Sequence, residues 1–344
     1  MDTSLPDAVA EQVANLVADV GPPTDERLAR ELLAAAIGLI GDHPATLDLK
    51  IASAALAEMR SAFAVFAPYR DIPKVTVFGS ARTATHDPLY AQATKIASDL
   101  ADRGWMVVTG AGPGIMQAAM EGAGRDRSIG VSIRLPFEQG ANPVIAGDDK
   151  AVSMKYFFTR KLMLVKESRA FVCLPGGFGT LDETFELLTL TQTGKGMPVP
   201  IVFLDTEGDT FWSEVDDFVR KQLVSRHLVN PIDRGLYFVT DSSDAACTEI
   251  ERFYSNYDSI RYIGSTAVVR IRREPTDDQV LELNRRFGPD AATVVADGPI
   301  TRTGPLPVEL RQADKVDLAR IRFDFTGHRY GTLRALIDAL NALD

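Results

Sequence analysis

The chain has 344 residues, a formal net charge of −10 and an ordinary content of 45% hydrophobic and 24% charged residues. This length allows one large domain with additions or two domains, and the acidic surplus argues against nucleic acid as a partner. Two cysteines without a CxxC pair and four scattered histidines argue against a zinc site and a disulfide scaffold. Neither a transmembrane run nor a signal peptide is visible, so we expect a cytoplasmic setting.

The first 70 residues or so predict helices only. Apolar residues recur at helical spacing in residues 8–20, 25–40 and 47–67. Nothing in this part has a catalytic pattern. We interpret it as a helical extension that acts as a cap or as an oligomer contact.

From Lys74 onward, strands and helices alternate. The predicted strands are residues 75–78, 105–109, 129–133, 170–174, 199–204 and 237–239. Between and after them, helices are predicted over residues 88–103, 115–123, 152–167, 184–190, 210–224 and 243–254. This alternation predicts a Rossmann-like, doubly wound parallel sheet with helices on both faces, the α/β class.

The pattern changes again near Tyr262. Strands are predicted at residues 267–271 and 319–325, and helices at 277–287 and 331–343, with a turn-rich link between them. We therefore predict three parts, residues 1–70, 71–260 and a small α+β domain at 261–344. This last part is either a regulatory module or a packing partner, and we favour the packing partner.

The chain is organised around residues 175–183 (PGGFGTLDE), which follow a buried strand and open a helix. Open α/β sheets bind ligands at such strand ends, and the free N–H groups of a new helix favour an anion. We therefore predict a phosphate cradle. The alternative is a capping box in which Thr180 caps the helix and Glu183 reaches back to it. The spacing alone does not separate the two.

Two more small-residue loops, Gly79-Ser80 and residues 110–114 (GAGPG), fall at strand ends on the same edge of the sheet. Three such loops together predict a nucleotide site. The GAGPG spacing does not fit the dinucleotide fingerprint, and neither a P-loop nor a serine-hydrolase G-x-S-x-G motif is present.

Arg160 and Lys161 are adjacent cations in a helix that is otherwise rich in apolar residues. Burying them without an anion is costly, whereas snorkelling to solvent is the structural alternative. We favour the anion, because this helix leads into the central strand.

Arg160-Lys161 together with PGGFGTLDE resembles the LONELY GUY (LOG) family pattern PGGxGTxxE with its upstream arginine. The stretch from Gly110 to Met116 resembles that family's glycine loop, and the resemblance covers about residues 70–255. It implies a phosphoribohydrolase that splits a purine nucleoside 5′-monophosphate, AMP or an N6-modified, cytokinin-type AMP, into free base and ribose 5-phosphate. It implies neither a cofactor nor a metal, and it suggests a homodimer or higher homo-oligomer. The alternative is a non-catalytic nucleotide sensor or a carrier of a phosphorylated, molybdopterin-type cofactor.

Carried over by position, the resemblance makes Arg160 and Glu183 the catalytic pair. Together with the three loops, it predicts substrate contacts at Ser80, Gly110, Gly112, Gly114, Glu138, Lys161, Gly176, Gly177, Gly179, Thr180 and Thr189. Departure of the base builds positive charge on the ribose, which a carboxylate such as Glu183 would stabilise. Arg160 would clamp the phosphate or a ribose hydroxyl.

Overall fold

The structure is a computed structural model that describes residues 6–20, 25–134, 140–289 and 294–343. The chain divides into two compact units, residues 1–60 and residues 61–344. The three-part division at residues 70 and 260 stays a prediction. Glu138 lies outside the described residues.

Helices make up the described part of the first unit, in agreement with the helical spacing of the sequence. They are α1 (Asp7–Val20), α2 (Glu26–Gly41) and the beginning of α3 (Thr46–Phe66). Asp25 caps α2 by accepting a hydrogen bond from the Leu28 amide at 3.0 Å. Arg27 and Glu31 form an i,i+4 pair at 2.6 Å on the exposed side of the same helix.

A seven-stranded, entirely parallel sheet forms the centre of the second unit. Its strands are β1 (Lys74–Phe78), β2 (Met106–Thr109), β3 (Ser128–Ile133), β4 (Ala151–Met154), β5 (Ala170–Cys173), β6 (Ile201–Leu204) and β7 (Phe238–Thr240). Strands β1, β2, β5 and β6 are buried at every residue. Such continuous burial explains why β5 and β6 are unbroken apolar runs and why β1 and β2 are mostly apolar.

Helices cover this sheet, as the alternating pattern predicted. They are α4 (Pro88–Asp102), α5 (Ile115–Ala123), α6 (Phe157–Lys166), α7 (Phe178–Gln192), α8 (Phe211–Phe218) and α9 (Ser243–Phe253). Short 3₁₀ segments lie at Ala67–Tyr69, Arg125–Arg127 and Pro231–Leu236, and a π-helical segment (Val219–Val224) continues α8. Asp87 caps α4 by accepting from the Leu89 amide at 2.9 Å, with Pro88 at the first helical position.

The predicted helix over residues 152–167 is wrong in its first part. Residues Ala151–Met154 form β4, which pairs with β3 in the register Gly130↔Ala151, and the helix begins only at Phe157. In β4, Val152 and Met154 are buried while Ser153 is exposed. This alternation over four residues is too short to distinguish from one helical turn, and only pairing with β3 decides it.

The strand order is β4-β3-β2-β1-β5-β6-β7. The chain builds outward from β1 to β4 and then returns through α6 to place β5 on the other side of β1. The direction of winding therefore reverses between β1 and β5, and the loops that follow these two strands flank a crevice. Ligands bind at such switch points in open α/β sheets.

A four-stranded antiparallel sheet follows in the order β10-β11-β9-β8. This part consists of β8 (Tyr257–Ile263), β9 (Thr266–Ile271), α10 (Asp277–Phe287), β10 (Thr301–Arg302), α11 (Pro307–Gln312), β11 (Ala319–Asp324) and α12 (Tyr330–Asn341). The sequence did not predict β8, β10 or α11, because β8 mixes polar and apolar residues and the other two are short.

Arginines on one face of this second sheet have carboxylate partners. Glu309 of α11 is fully buried and pairs with Arg270 at 2.6 Å and with Arg320 at 3.1 Å. Arg270 and Arg320 thus belong to an internal ion-pair network, which Arg261 joins through Asp314 at 2.9 Å. A buried pair of this kind is strongly destabilised when one partner is removed.

Helix α12 is fastened to α9, the last helix of the parallel sheet. Arg334 of α12 pairs with Glu249 of α9, and both side chains are buried. The Asn341 Oδ1 atom accepts hydrogen bonds from the amides of Tyr257 at 2.7 Å and Asn256 at 3.1 Å. These contacts favour the packing-partner interpretation of the C-terminal part.

Asp205, directly after β6, is a buried carboxylate with an incomplete set of hydrogen bonds. Its Oδ2 atom accepts from the Trp212 amide at 3.0 Å, whereas Oδ1 has no partner among the described residues. Burial, with smaller effects of Asp209 and Asp241, raises its pKa to about 6. The contribution of the protonated Asp205 side chain to folding stability is therefore complete only below the unfolded-state pKa near 4. This contribution is lost as the pH rises through 6.

We expect Asp205→Asn to melt higher than the wild type at pH 8, because the neutral amide keeps an acceptor for the Trp212 amide and removes the buried charge. The advantage should shrink by roughly 1.5 kcal/mol between pH 8 and pH 5, the free-energy equivalent of the raised pKa over that range. Thermal melting at both pH values measures it. An advantage that is equal at both would contradict the explanation.

Candidate active site

A crevice of about 700 Å³ opens at the switch point between β1 and β5. It is lined from the loop after β1, from α6 and from the start of α7. The lining residues are Phe78, Gly79, Ser80, Ala81, Arg82, Met116, Ile133, Phe157, Arg160, Lys161, Gly177, Phe178, Gly179, Thr180, Leu181, Asp182 and Glu183.

Backbone contacts join the three small-residue loops, as their placement at one sheet edge predicted. The Ser80 amide donates to the Pro175 carbonyl at 3.2 Å, and the Ser80 carbonyl accepts from the Ile115 amide at 3.0 Å. Gly114 has φ +66°, and a Cβ atom there would collide with the Ser80 carbonyl. Glycine is therefore required at 114 both for its backbone conformation and for this close approach.

Helix α7 begins at Phe178 and presents its N-terminus to the crevice. Its N-cap is Gly177, which offers no capping side chain, so the capping-box alternative for Thr180 and Glu183 is wrong. The amides of residues 178–180 consequently lack intrahelical acceptors. A Cβ atom added at Gly177 or Gly179 would meet no atom within 4 Å, which leaves open space beside these donors.

Arg160 and Glu183 meet in this crevice. The Arg160 Nη1 atom donates to Glu183 Oε1 at 2.9 Å, and its Nε atom donates to the Val131 carbonyl at 3.0 Å. Arg160 is only 8% exposed, so the snorkelling alternative is wrong for it. Three elements thus fix the guanidinium: α6 carries it, β3 orients it and α7 supplies its counter-charge.

Burial raises the pKa of Glu183, whereas the charge and the hydrogen bond of Arg160 oppose this rise. The net shift is upward. A carboxyl group whose pKa is raised toward neutral pH is suited to proton transfer. Desolvation combined with a specific charge partner in a cleft is also a mark of functional sites.

Lys161 lies at the edge of the crevice with two carboxylate partners. Its Nζ atom is 2.7 Å from Asp182 and 2.9 Å from Glu186. Burial alone would lower the pKa of Lys161, but the hydrogen bonds to these carboxylates and their charges together outweigh it and raise the pKa. The anions that neutralise Arg160 and Lys161 in this structure are therefore the protein's own carboxylates.

A second chamber of about 320 Å³ adjoins the crevice and shares Ala81, Met116, Ile133 and Arg160 with it. Gly110 and Gly112 line this chamber, together with Ser132, Ser153 and Arg134 from the ends of β3 and β4. The two chambers therefore meet at the Arg160 guanidinium.

Gly110 makes room for Arg160. A Cβ atom at this position would overlap Arg160 Nη2 and lie 2.9 Å from the Met116 sulfur. We expect Gly110→Ala to displace the guanidinium. The turnover of AMP, the activity that the LOG resemblance predicts, should fall by about 10²-fold, since a misplacement of about 1 Å in an active site can cost that much. Gly235→Ala is the matched control, because a Cβ atom there meets nothing within 4 Å. Steady-state kinetics on folded protein measure both, and equal activities would contradict this role.

The structure separates the remaining predicted contacts. Gly176 lies beneath the α7 terminus, where an added Cβ would clash with the Thr180 side chain. Thr189 donates to the Phe185 carbonyl at 2.8 Å and lines a different cavity of about 90 Å³. Its contact with substrate stays a prediction.

Sequence reasoning did not select Arg82 or the Val131 carbonyl. Arg82 could have been selected from the sequence, because it is a cation in the first small-residue loop at the same sheet edge. No sequence pattern could have indicated the Val131 carbonyl, since its contact with Arg160 joins residues 29 positions apart.

Within the described ranges, no group of three or more His, Cys, Asp or Glu side chains is placed to hold a metal ion. Nor does a described helix combine the length and apolar character needed to cross a membrane.

Known proteins resemble part of this chain. A family model described as "Possible lysine decarboxylase" matches residues 114–250. A cytokinin riboside 5′-monophosphate phosphoribohydrolase of Oryza sativa subsp. japonica is 33% identical over 140 residues, which cover 39% of this chain and 56% of that protein. A probable enzyme of the same name from Arabidopsis thaliana is 31% identical over 145 residues, covering 40% of this chain and 71% of its own length.

This chain belongs to the LOG family. Another LOG relative from Arabidopsis thaliana is 27% identical over 188 residues, covering 54% of this chain and 85% of that protein. The LOG resemblance predicted from PGGFGTLDE and Arg160-Lys161 is therefore confirmed. Among solved structures, the molybdenum cofactor carrier protein of Chlamydomonas reinhardtii is 21% identical with a TM-score of 0.37, covering 53% of this chain and 97% of that one.

Proposed function

We propose that this LOG-family chain hydrolyses the N-glycosidic bond of purine nucleoside 5′-monophosphates, AMP or N6-modified AMP of the cytokinin type, to free base and ribose 5-phosphate. The observation that carries the proposal is the buried Arg160–Glu183 pair in the crevice at the switch point. The names of the curated relatives support the same reaction class.

The substrate's 5′-phosphate would lie at the start of α7. The amides of residues 178–180 have no intrahelical acceptors and would donate to it, and the helix terminus adds about half a positive charge. Gly177 and Gly179 leave the space for an oxyanion to approach. Because the phosphate is distant from the bond that breaks, its binding energy would serve to orient the ribose.

In the reaction, the bond between C1′ of the ribose and the base nitrogen breaks, and a bond between C1′ and a water oxygen forms. The base nitrogen takes up one proton and the attacking water loses one, so the proton count balances. Positive charge builds on the ribose as the base leaves. The Glu183 carboxylate would stabilise that charge and accept the proton of the water.

Arg160 would hold Glu183 in its ionised form until the substrate arrives. Its charge and hydrogen bond lower a pKa that burial raises. The Val131 carbonyl keeps the guanidinium in place while leaving Nη2 directed toward Gly110 and the second chamber. We therefore expect Arg160 to contact a ribose hydroxyl as well as Glu183.

Incubation with AMP and chromatography for adenine and ribose 5-phosphate tests the proposal. Release of both products in equal amounts supports hydrolysis. Tight binding of AMP without release of adenine would instead favour the sensor or carrier alternative. A panel of AMP, N6-prenyl-AMP, GMP and IMP then ranks the bases.

We also propose that the chain forms a homodimer or a higher homo-oligomer and is cytoplasmic. Exposed apolar side chains next to the crevice support self-association, namely Phe157, Phe158, Leu162 and Phe178. Sedimentation velocity measures the oligomeric state.

A further inference from the structure

The cationic side chains that line the crevice differ in whether they have an ion-pair partner. Its cations are Arg82, Arg160 and Lys161. Arg160 is committed to Glu183 and to the Val131 carbonyl, and Lys161 to Asp182 and Glu186. The Arg82 side chain is exposed and forms no ion pair with any residue that the structure describes.

Arg82 is held close to the start of α7 by its backbone. Its amide donates to the Ser80 Oγ atom at 3.1 Å, while the Ser80 amide donates to the Pro175 carbonyl at 3.2 Å. These two hydrogen bonds connect the loop after β1 to Pro175, the residue that precedes Gly176. The backbone position of Arg82 is therefore set, and its long side chain is free to reach into the crevice.

We propose that Arg82 binds the 5′-phosphate of the substrate and makes the site specific for nucleoside monophosphates over nucleosides. This inference rests on the proposed function and adds a residue to it. A phosphate ester carries about −1.5 to −2 charges at pH 7, and a helix terminus supplies only about half a compensating charge. The free guanidinium supplies a full charge and two parallel donors for phosphate oxygens.

The role of Arg82 differs from that of Arg160 in a measurable way. A phosphate contact is present both in the bound substrate and in the transition state, so its loss raises KM and leaves kcat nearly unchanged. The contact is solvent-exposed, so salt should weaken it. Arg160 and Glu183, in contrast, affect kcat.

The test compares Arg82→Gln and Arg82→Lys with Arg226→Gln, an exposed arginine outside the crevice lining. For AMP we expect Arg82→Gln to raise KM by about 10- to 100-fold, the range for loss of a charged hydrogen bond, with kcat within about twofold. Arg82→Lys should be intermediate, and Arg226→Gln should match the wild type. Increasing NaCl from 50 to 500 mM should raise KM less in Arg82→Gln than in the wild type. Turnover of adenosine, which lacks the phosphate, should be equal in both.

Ribose 5-phosphate binding by calorimetry separates this proposal from the hydrolase proposal, because it needs no catalysis. If AMP is not hydrolysed but ribose 5-phosphate binds the wild type and binds Arg82→Gln at least 10-fold more weakly, the role of Arg82 stands without the enzyme. An unchanged KM and an unchanged ribose 5-phosphate affinity in Arg82→Gln would overturn it. A loss confined to kcat, or no binding of ribose 5-phosphate to the wild type, would overturn it as well.

Discussion

Glu183→Gln is expected to lower the turnover of AMP by 10²-fold or more while the protein stays folded. The amide keeps the size of the side chain and an oxygen that can accept the Arg160 hydrogen bond. It can neither carry the charge that stabilises the ribose nor accept a proton from water, and such groups each contribute about 10²-fold or more. Adenine release under saturating AMP measures the loss.

Glu186→Gln is the matched control for this experiment. It removes the same charge from the same helix one turn further on, at a residue that does not line the crevice. We expect its turnover to stay within a few-fold of the wild type. Because Glu183 does not cap α7, a loss of activity in Glu183→Gln cannot be assigned to a frayed helix. Full activity in a folded Glu183→Gln would remove the carboxylate from the mechanism.

Acid titration of the reaction gives a companion result. Since burial raises the pKa of Glu183, the decline of kcat/KM toward acidic pH should be centred above the ordinary glutamate value of about 4.3. Glu183→Gln should lose this limb of the profile. The residual rate of the variant should then be flat across the same range.

Arg160→Gln is expected to lose turnover by 10²-fold or more and to destabilise the second unit. Removing one partner of a buried ion pair leaves the other charge uncompensated, which costs about 3–5 kcal/mol. The loss of Arg160 also removes the two largest effects that lower the pKa of Glu183, the charge and the hydrogen bond of Arg160, so this pKa rises further. The destabilisation should therefore be largest above neutral pH, where Glu183 must be charged, and should diminish as the pH falls and Glu183 becomes protonated.

The double variant Arg160→Gln/Glu183→Gln separates this ion-pair effect from general damage to the crevice. With both charges removed, no buried carboxylate remains unpaired, so thermal stability should recover relative to Arg160→Gln, and its pH dependence should weaken. Turnover should stay low in both. A double variant that melts no higher than Arg160→Gln would show that the pair is not the source of the instability.

Local patterns predicted most of the elements that build the site. The sequence predicted the buried strands β1, β2 and β5 and the glycine-rich loops that follow them. This was possible because strand burial and turn conformation depend mainly on residues that are adjacent in the chain. The start of α5 at Ile115 and its end at Ala123 were predicted as the structure has them. Strand β4 was not, because four alternating residues become a strand only when β3 lies beside them.

By itself, the sequence determined the family, the α/β class and the residues 160, 161 and 175–183 as the centre of interest, since these depend on local pattern and motif. Only the tertiary structure decided between a capping box and an ion pair for Glu183 and between solvent and burial for Arg160. It also showed that Arg82 is the crevice cation without an ion-pair partner among the described residues. These outcomes depend on side chains far apart in the chain that meet where β1, β3, α6 and α7 converge. Such contacts cannot be predicted from the residues that are adjacent in the chain.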